Sequence, residues 1–149
     1  VVNVYPTLPA LFTANASGQG QAAAHNSDYS LNGDPAANPR ARRAKKGDFV
    51  IFYGSGAGSQ LVNAGNGLPL TVKDGDAATS NPLIATATAP TATIGGKAAA
   101  VYFSGLAPGF VSLWQLNVRV PTGAPSGAAV EVVINLGGKT SSTVTIAVE

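Results

Sequence analysis

The chain has 149 residues, 11% of them charged, a formal net charge of +2, and neither cysteine nor methionine. That length suffices for one domain with a sizeable core, and the missing thiols exclude disulfides, thiolate metal sites and cysteine catalysis. Five of the nine basic residues fall in RARRAKK (40–46), so the positive charge is a local patch; low charge with many small and β-branched residues suits a secreted β-protein better than a helical cytosolic enzyme.

The opening stretch VVNVYP (1–6) is rich in strong β-formers and is stopped by proline. A strand there presents unpaired amides and carbonyls, so it is expected to pair with a sheet. Its host is either an annex of its own chain or the edge of a neighbouring subunit. The sequence begins at Val1 rather than Met, so a processed or excerpted chain is expected. The Ala-rich stretch GQAAAHN (20–26) is too short and too tightly bounded by Gly and Asn to predict a helix. It carries His25, the sole histidine, close to Ser27 and Asp28. No nucleophile elbow of the G-x-S-x-G kind occurs, so a polar strand-end histidine is expected rather than a catalytic one. Pro39 and Gly47 bracket RARRAKK as an exposed basic loop, and without interleaved aromatics it is not expected to bind nucleic acid.

GDFVIFYGSG (47–56) predicts a core strand whose inward residues are Phe49, Ile51 and Tyr53. The following GSGAGS (54–59) lacks the GK[ST] sequence and helix of a phosphate loop, and reads as a glycine-rich turn. From 54 to 81 the chain is rich in Gly, Asn and Asp, with at most one strand, LPLTVK (68–73). In KDGDA (73–77), Asp74 and Asp76 fall short of the six or so oxygens that calcium takes. Gly95-Gly96 and Gly137-Gly138 each predict a two-residue hairpin turn. Between them FVSLWQLNVRVP (110–121) alternates, which sends Trp114, Leu116 and Val118 inward. The expected core adds Ile94, Val101, Phe103, Val132, Ile134, Val144 and Ile146. Of the seven acids only Glu131 falls within a predicted strand, which leaves no carboxylate pair of the glycosidase kind. No apolar run approaches the roughly 18 residues of a membrane span.

PALFTANASGQGQAAAHN, NPRARRAKKGDFVIFYGSGAG and the run from TIGGKAAAVYFSG to TVTIAVE resemble a C-terminal domain widespread in secreted proteins of acidobacteria. The later part is similar to the IPT/TIG immunoglobulin-like domains, and GLAPGFVSLWQLNVRVPTGAPSG is the most specific stretch. The resemblance implies an extracellular or cell-surface setting and assigns no activity. The expected fold is all-β: an antiparallel immunoglobulin-like β-sandwich over 47–149, preceded by an N-terminal strand and short β annex over 1–46.

No catalytic, cofactor or metal-binding residues are expected. The functional expectation is a structural or assembly module, a homo-oligomer or filament that polymerises by β-strand addition through Val1, Val2, Asn3, Val4, Tyr5 and Pro6. The alternative is a carbohydrate- or ligand-binding accessory domain that recognises a glycan through the 54–81 loop.

Overall fold

The computed structural model describes residues 2–149. In chain order its strands are β1 (Ala10–Leu11), β2 (Gly20–Gln21), β3 (Ala24–Asn26), β4 (Phe49–Ser55), β5 (Leu61–Asn63), β6 (Pro69–Leu70) and β7 (Ile84–Thr86). They continue with β8 (Thr91–Ile94), β9 (Lys97–Ala99), β10 (Val101–Leu106), β11 (Trp114–Arg119), β12 (Gly127–Leu136), β13 (Lys139–Thr140) and β14 (Val144–Val148). No helix occurs among the described residues. One sheet runs β1-β4-β11-β10-β7-β5-β6, with β3 also on β4; the other runs β2-β14-β12-β8-β9, with β13 on β12. The pairings between these strands are antiparallel except β2 with β14, and the isolated bridges Asn32–Arg42 and Ala44–Val148 are parallel too. The two sheets share one apolar core and form a β-sandwich. Val50, Phe52, Trp114, Leu116 and Val118 come from the first sheet; Ile94, Val132, Ile134, Val144 and Ile146 come from the second.

Both glycine-pair turns fold as hairpins: Gly95 and Gly96 join β8 to β9, and Gly137 and Gly138 join β12 to β13, all four with positive φ. The 54–81 segment holds two strands rather than one, because Leu61–Asn63 pairs with Pro69–Leu70. Strands of the first 46 residues enter both sheets: β1 and β3 pair with β4, and β2 pairs with β14.

Two expected core faces are corrected. In β4 the residues facing the core are Val50 and Phe52, both fully buried, while Phe49 is exposed and Tyr53 half-buried. Ile51 is buried, but outside the main core. Five consecutive apolar residues carry no alternation that could choose a face, and a one-residue slip inverts the strand. In β10 a register shift between Val101 and Phe103 leaves those two half-buried and turns Tyr102 outward, as a bulge does by inserting an unpaired residue.

The outer edge of β14 is closed piecemeal. At one end the Ala22 amide donates to the Thr145 carbonyl; at the other the Ala44 amide donates to Ala147 and the Glu149 amide to Ala44. Between them the buried side chain of Asn32 acts as a peptide unit. Its Nδ2 donates to the Ala147 carbonyl at 3.0 Å and to Asn26 Oδ1 at 2.9 Å. Its Oδ1 accepts from the Ala147 amide at 3.0 Å and from Gln21 Nε2 at 3.1 Å. The amide thus has every donor and acceptor occupied, as burial of a polar side chain requires.

Candidate functional site

The stretch GSGAGS, expected to be a simple turn, is a rail for the N-terminal segment. Residues 6–11 run antiparallel to it, with Ala10 opposite Ser55 and Leu11 opposite Gly54, and with the Leu8 amide donating to the Gly56 carbonyl at 2.9 Å. A Cβ on Gly54 would run into the Ala10 carbonyl, one on Gly56 into the Leu8 carbonyl, and one on Gly58 would come within 2.6 Å of the Pro6 carbonyl. Glycine at every second position lets the two backbones approach. Gly56→Ala is therefore expected to free the segment. Gly18→Ala is the control, since Gly18 has a similar positive φ and open space where its Cβ would be. Hydrogen exchange should show the Leu8 amide losing protection in the first variant alone. The first should also cost more than the roughly 1–3 kcal/mol of backbone strain that both share.

Of the six residues expected to form an assembly strand, Val1 lies outside the described residues. Val2, Asn3 and Val4 are exposed and form no strand in their own chain, with Val2 at 90% and Val4 at 91% exposure. Pro6 is drawn onto the glycine rail. The ammonium of Lys139 lies 3.6 Å from the centre of the Tyr5 ring, a cation–π contact. Thr7 Oγ1 donates to the Leu136 carbonyl at 3.1 Å. Tyr5, Pro6 and Thr7 thus clamp the base of the segment between the two sheets, and the unpaired part begins just ahead of Tyr5.

His25 lies within β3, half-buried, with its ring edge-on to Tyr53 at 5.8 Å and its Nδ1 buried without a hydrogen bond. It does not join a triad. The Asp28 carboxylate is engaged by Ser30, whose amide and hydroxyl donate at 2.9 and 2.6 Å. Those bonds hold Asp28 below the usual carboxylate range. Asp74 and Asp76 stand exposed in a turn closed by the Asp76 amide on the Lys73 carbonyl. No group of three or more histidines or carboxylates close enough to hold a metal occurs among the described residues.

The basic stretch is anchored rather than loose. Ala41 and Ala44 are buried, while Arg40, Arg42, Lys45 and Lys46 are exposed. Arg43 pairs with Asp34 at 3.1 Å and holds that carboxyl below its ordinary range. Beside it a cleft of about 250 Å³ is lined by Asp28, Arg42, Lys45, Asp48 and Phe49 among others. A second cleft, of about 450 Å³, lies between residues 55–59 and 70–76, over Leu61, Val72 and Leu106. Trp114 borders it, yet only 1% of that residue is exposed. Its Nε1 donates to Ser104 Oγ at 3.0 Å, and Ser104 Oγ lies 2.8 Å from Thr86 Oγ1. The expected core placement of Trp114 holds.

What sequence reasoning missed is a row of exposed side chains across the first sheet: Phe49 on β4, Arg119 opposite it on β11, and Tyr102 on β10. The outward swing of Arg119 was legible in the alternation of β11. The two aromatics were not, because a uniformly apolar strand and a bulge set their directions. Comparisons with family models, with curated proteins and with solved structures return nothing that matches this chain.

Proposed function

We propose that this chain is an extracellular structural module that assembles with copies of itself, each adding its N-terminal strand to a sheet edge of a neighbour. The observation that carries this reading is the contrast along the segment: Pro6 to Leu11 are held on the glycine rail, while the strand-forming Val2 and Val4 project unpaired. Exposed valines beside unpaired backbone form a surface that gains from strand addition, through main-chain hydrogen bonds and burial of alternate side chains. The clamp by Tyr5 and Thr7 fixes the direction of the projecting part, which lowers the ordering cost of docking. A head-to-tail contact of this type that does not close on itself propagates as a filament. The immunoglobulin-like character and acidobacterial kinship implied by the resemblance, the extracellular setting and the absence of catalysis belong to the same proposal.

The test is deletion of residues 1–4, which leaves the clamped part intact. Negative-stain microscopy and light scattering are expected to show large particles for the full chain and monomers for the shortened one, with the same melting temperature for both. Particles of equal size from both chains would remove the N-terminal strand from assembly; a full chain that stays monomeric at high concentration would sink the reading itself.

A further inference from the structure

We infer that the row Phe49–Arg119–Tyr102, together with Arg42 and Lys45, is a binding track for an acidic polysaccharide. Phe49 and Arg119 are directly opposed across β4 and β11, so their side chains leave the same face of the sheet. Arg119 Nε donates to the Gly47 carbonyl at 2.8 Å, and its NH1 donates to the Tyr102 hydroxyl at 3.3 Å. The guanidinium is thereby held between the Gly47 carbonyl and the Tyr102 hydroxyl. Tyr102 reaches this face because the bulge in β10 turns it outward, leaving it 65% exposed. Beyond Phe49 the track continues into the cleft lined by Arg42, Lys45 and Asp48.

Three properties of the row fit a sugar chain. Phe49 and Tyr102 stand two strands apart, about 9–10 Å, so an extended chain could lay the apolar faces of separate pyranose rings on both. Neither aromatic is needed by the core; Phe49 is 38% exposed on a strand whose buried positions are filled by its neighbours. The charge of the molecule also gathers here. Arg42, Arg43 and Lys45 line the cleft with Asp28 and Asp48, Arg43 is paired with Asp34, and Arg119 is bonded to the Gly47 carbonyl beside them. Five of the nine basic residues of the chain fall within 40–46, in or next to this cleft.

The interspersed carboxylates select among anionic partners. A phosphodiester backbone carries a charge on every residue and is held by many cations, and Asp48 inside the cleft would repel it. A uronate-bearing glycan offers hydroxyl groups beside its charges; Arg119, Arg42 and Lys45 can take its carboxylates, while Asp48 accepts from hydroxyl groups. This inference does not depend on self-assembly.

Affinity electrophoresis of the full chain in gels containing polygalacturonate, hydroxyethylcellulose or oligothymidylate tests it. Retardation is expected with polygalacturonate, weakening as salt is raised. Phe49→Ala and Tyr102→Ala should each weaken it by about tenfold, a stacking contact's worth, while both variants keep the far-ultraviolet circular dichroism spectrum of the parent. Arg119→Ala should weaken it as well. No retardation by polygalacturonate, or equal retardation by the Phe49→Ala/Tyr102→Ala double variant, would overturn the inference. Stronger retardation by oligothymidylate would replace it with nucleic-acid binding through charge, and stronger retardation by hydroxyethylcellulose would replace it with a neutral-glycan site.

Discussion

Trp114→Ala is expected to destabilise the fold by about 3–5 kcal/mol, the range for deleting a large buried aromatic. The indole is packed within the core shared by the two sheets, and a close-packed interior does not collapse freely over the space it would leave. Loss of its N–H also leaves the buried Ser104 hydroxyl with the Thr86 hydroxyl as its remaining side-chain partner. Trp114→Phe separates the two contributions. It keeps most of the apolar ring and should cost less than half as much, with the remainder reporting the hydrogen bond and the smaller void. Urea unfolding followed by far-ultraviolet circular dichroism measures both, since the variants lack the only tryptophan. An alanine variant of near wild-type stability would place the ring outside the core.

Asn32→Ala should be the second most damaging substitution, by roughly 2–4 kcal/mol, although it removes little apolar surface. It strips the amide of Ala147, a residue fully buried in β14, of its partner and takes the donor from Asn26 Oδ1, while the Ala147 carbonyl keeps the Ala44 amide. Each buried polar group left unsatisfied costs about 1–3 kcal/mol. Asn32→Asp is the diagnostic companion. An ionised carboxylate can still accept from the Ala147 amide but has no proton for the Ala147 carbonyl or for Asn26 Oδ1, so it should not rescue at neutral pH. Acidification that protonates the carboxyl restores one donor, and the stability gap between Asn32→Asp and the parent is expected to narrow there. Thermal melts across pH for the three proteins check this. An Asn32→Asp variant as stable as the parent at neutral pH would show that the side chain does not stand in for a peptide unit.

The residues at stake in these two substitutions differ in how they could be recognised. Trp114 sits in a strand whose apolar and polar residues alternate, and alternation has one physical meaning, a sheet with one face buried. Its burial could be read directly, as could the glycine-pair hairpins, the absence of helical periodicity and the strands they join. Asn32 lies in a stretch of turn-forming residues, where an asparagine ordinarily caps a turn. Only the approach of β14, more than a hundred residues later in the chain, gives its amide a ladder to complete.

The same division runs through the surface. Composition and patterning determined an all-β sandwich and the local character of the positive charge, because each depends on the residue itself or on near neighbours. The glycine rail, the outward turn of Phe49 and Tyr102, and the hold on Arg119 by the Gly47 carbonyl and the Tyr102 hydroxyl were decided by tertiary structure. Glycine spacing matters only once another backbone lies against it, and a run of five apolar residues acquires an inside and an outside only from the strands that flank it.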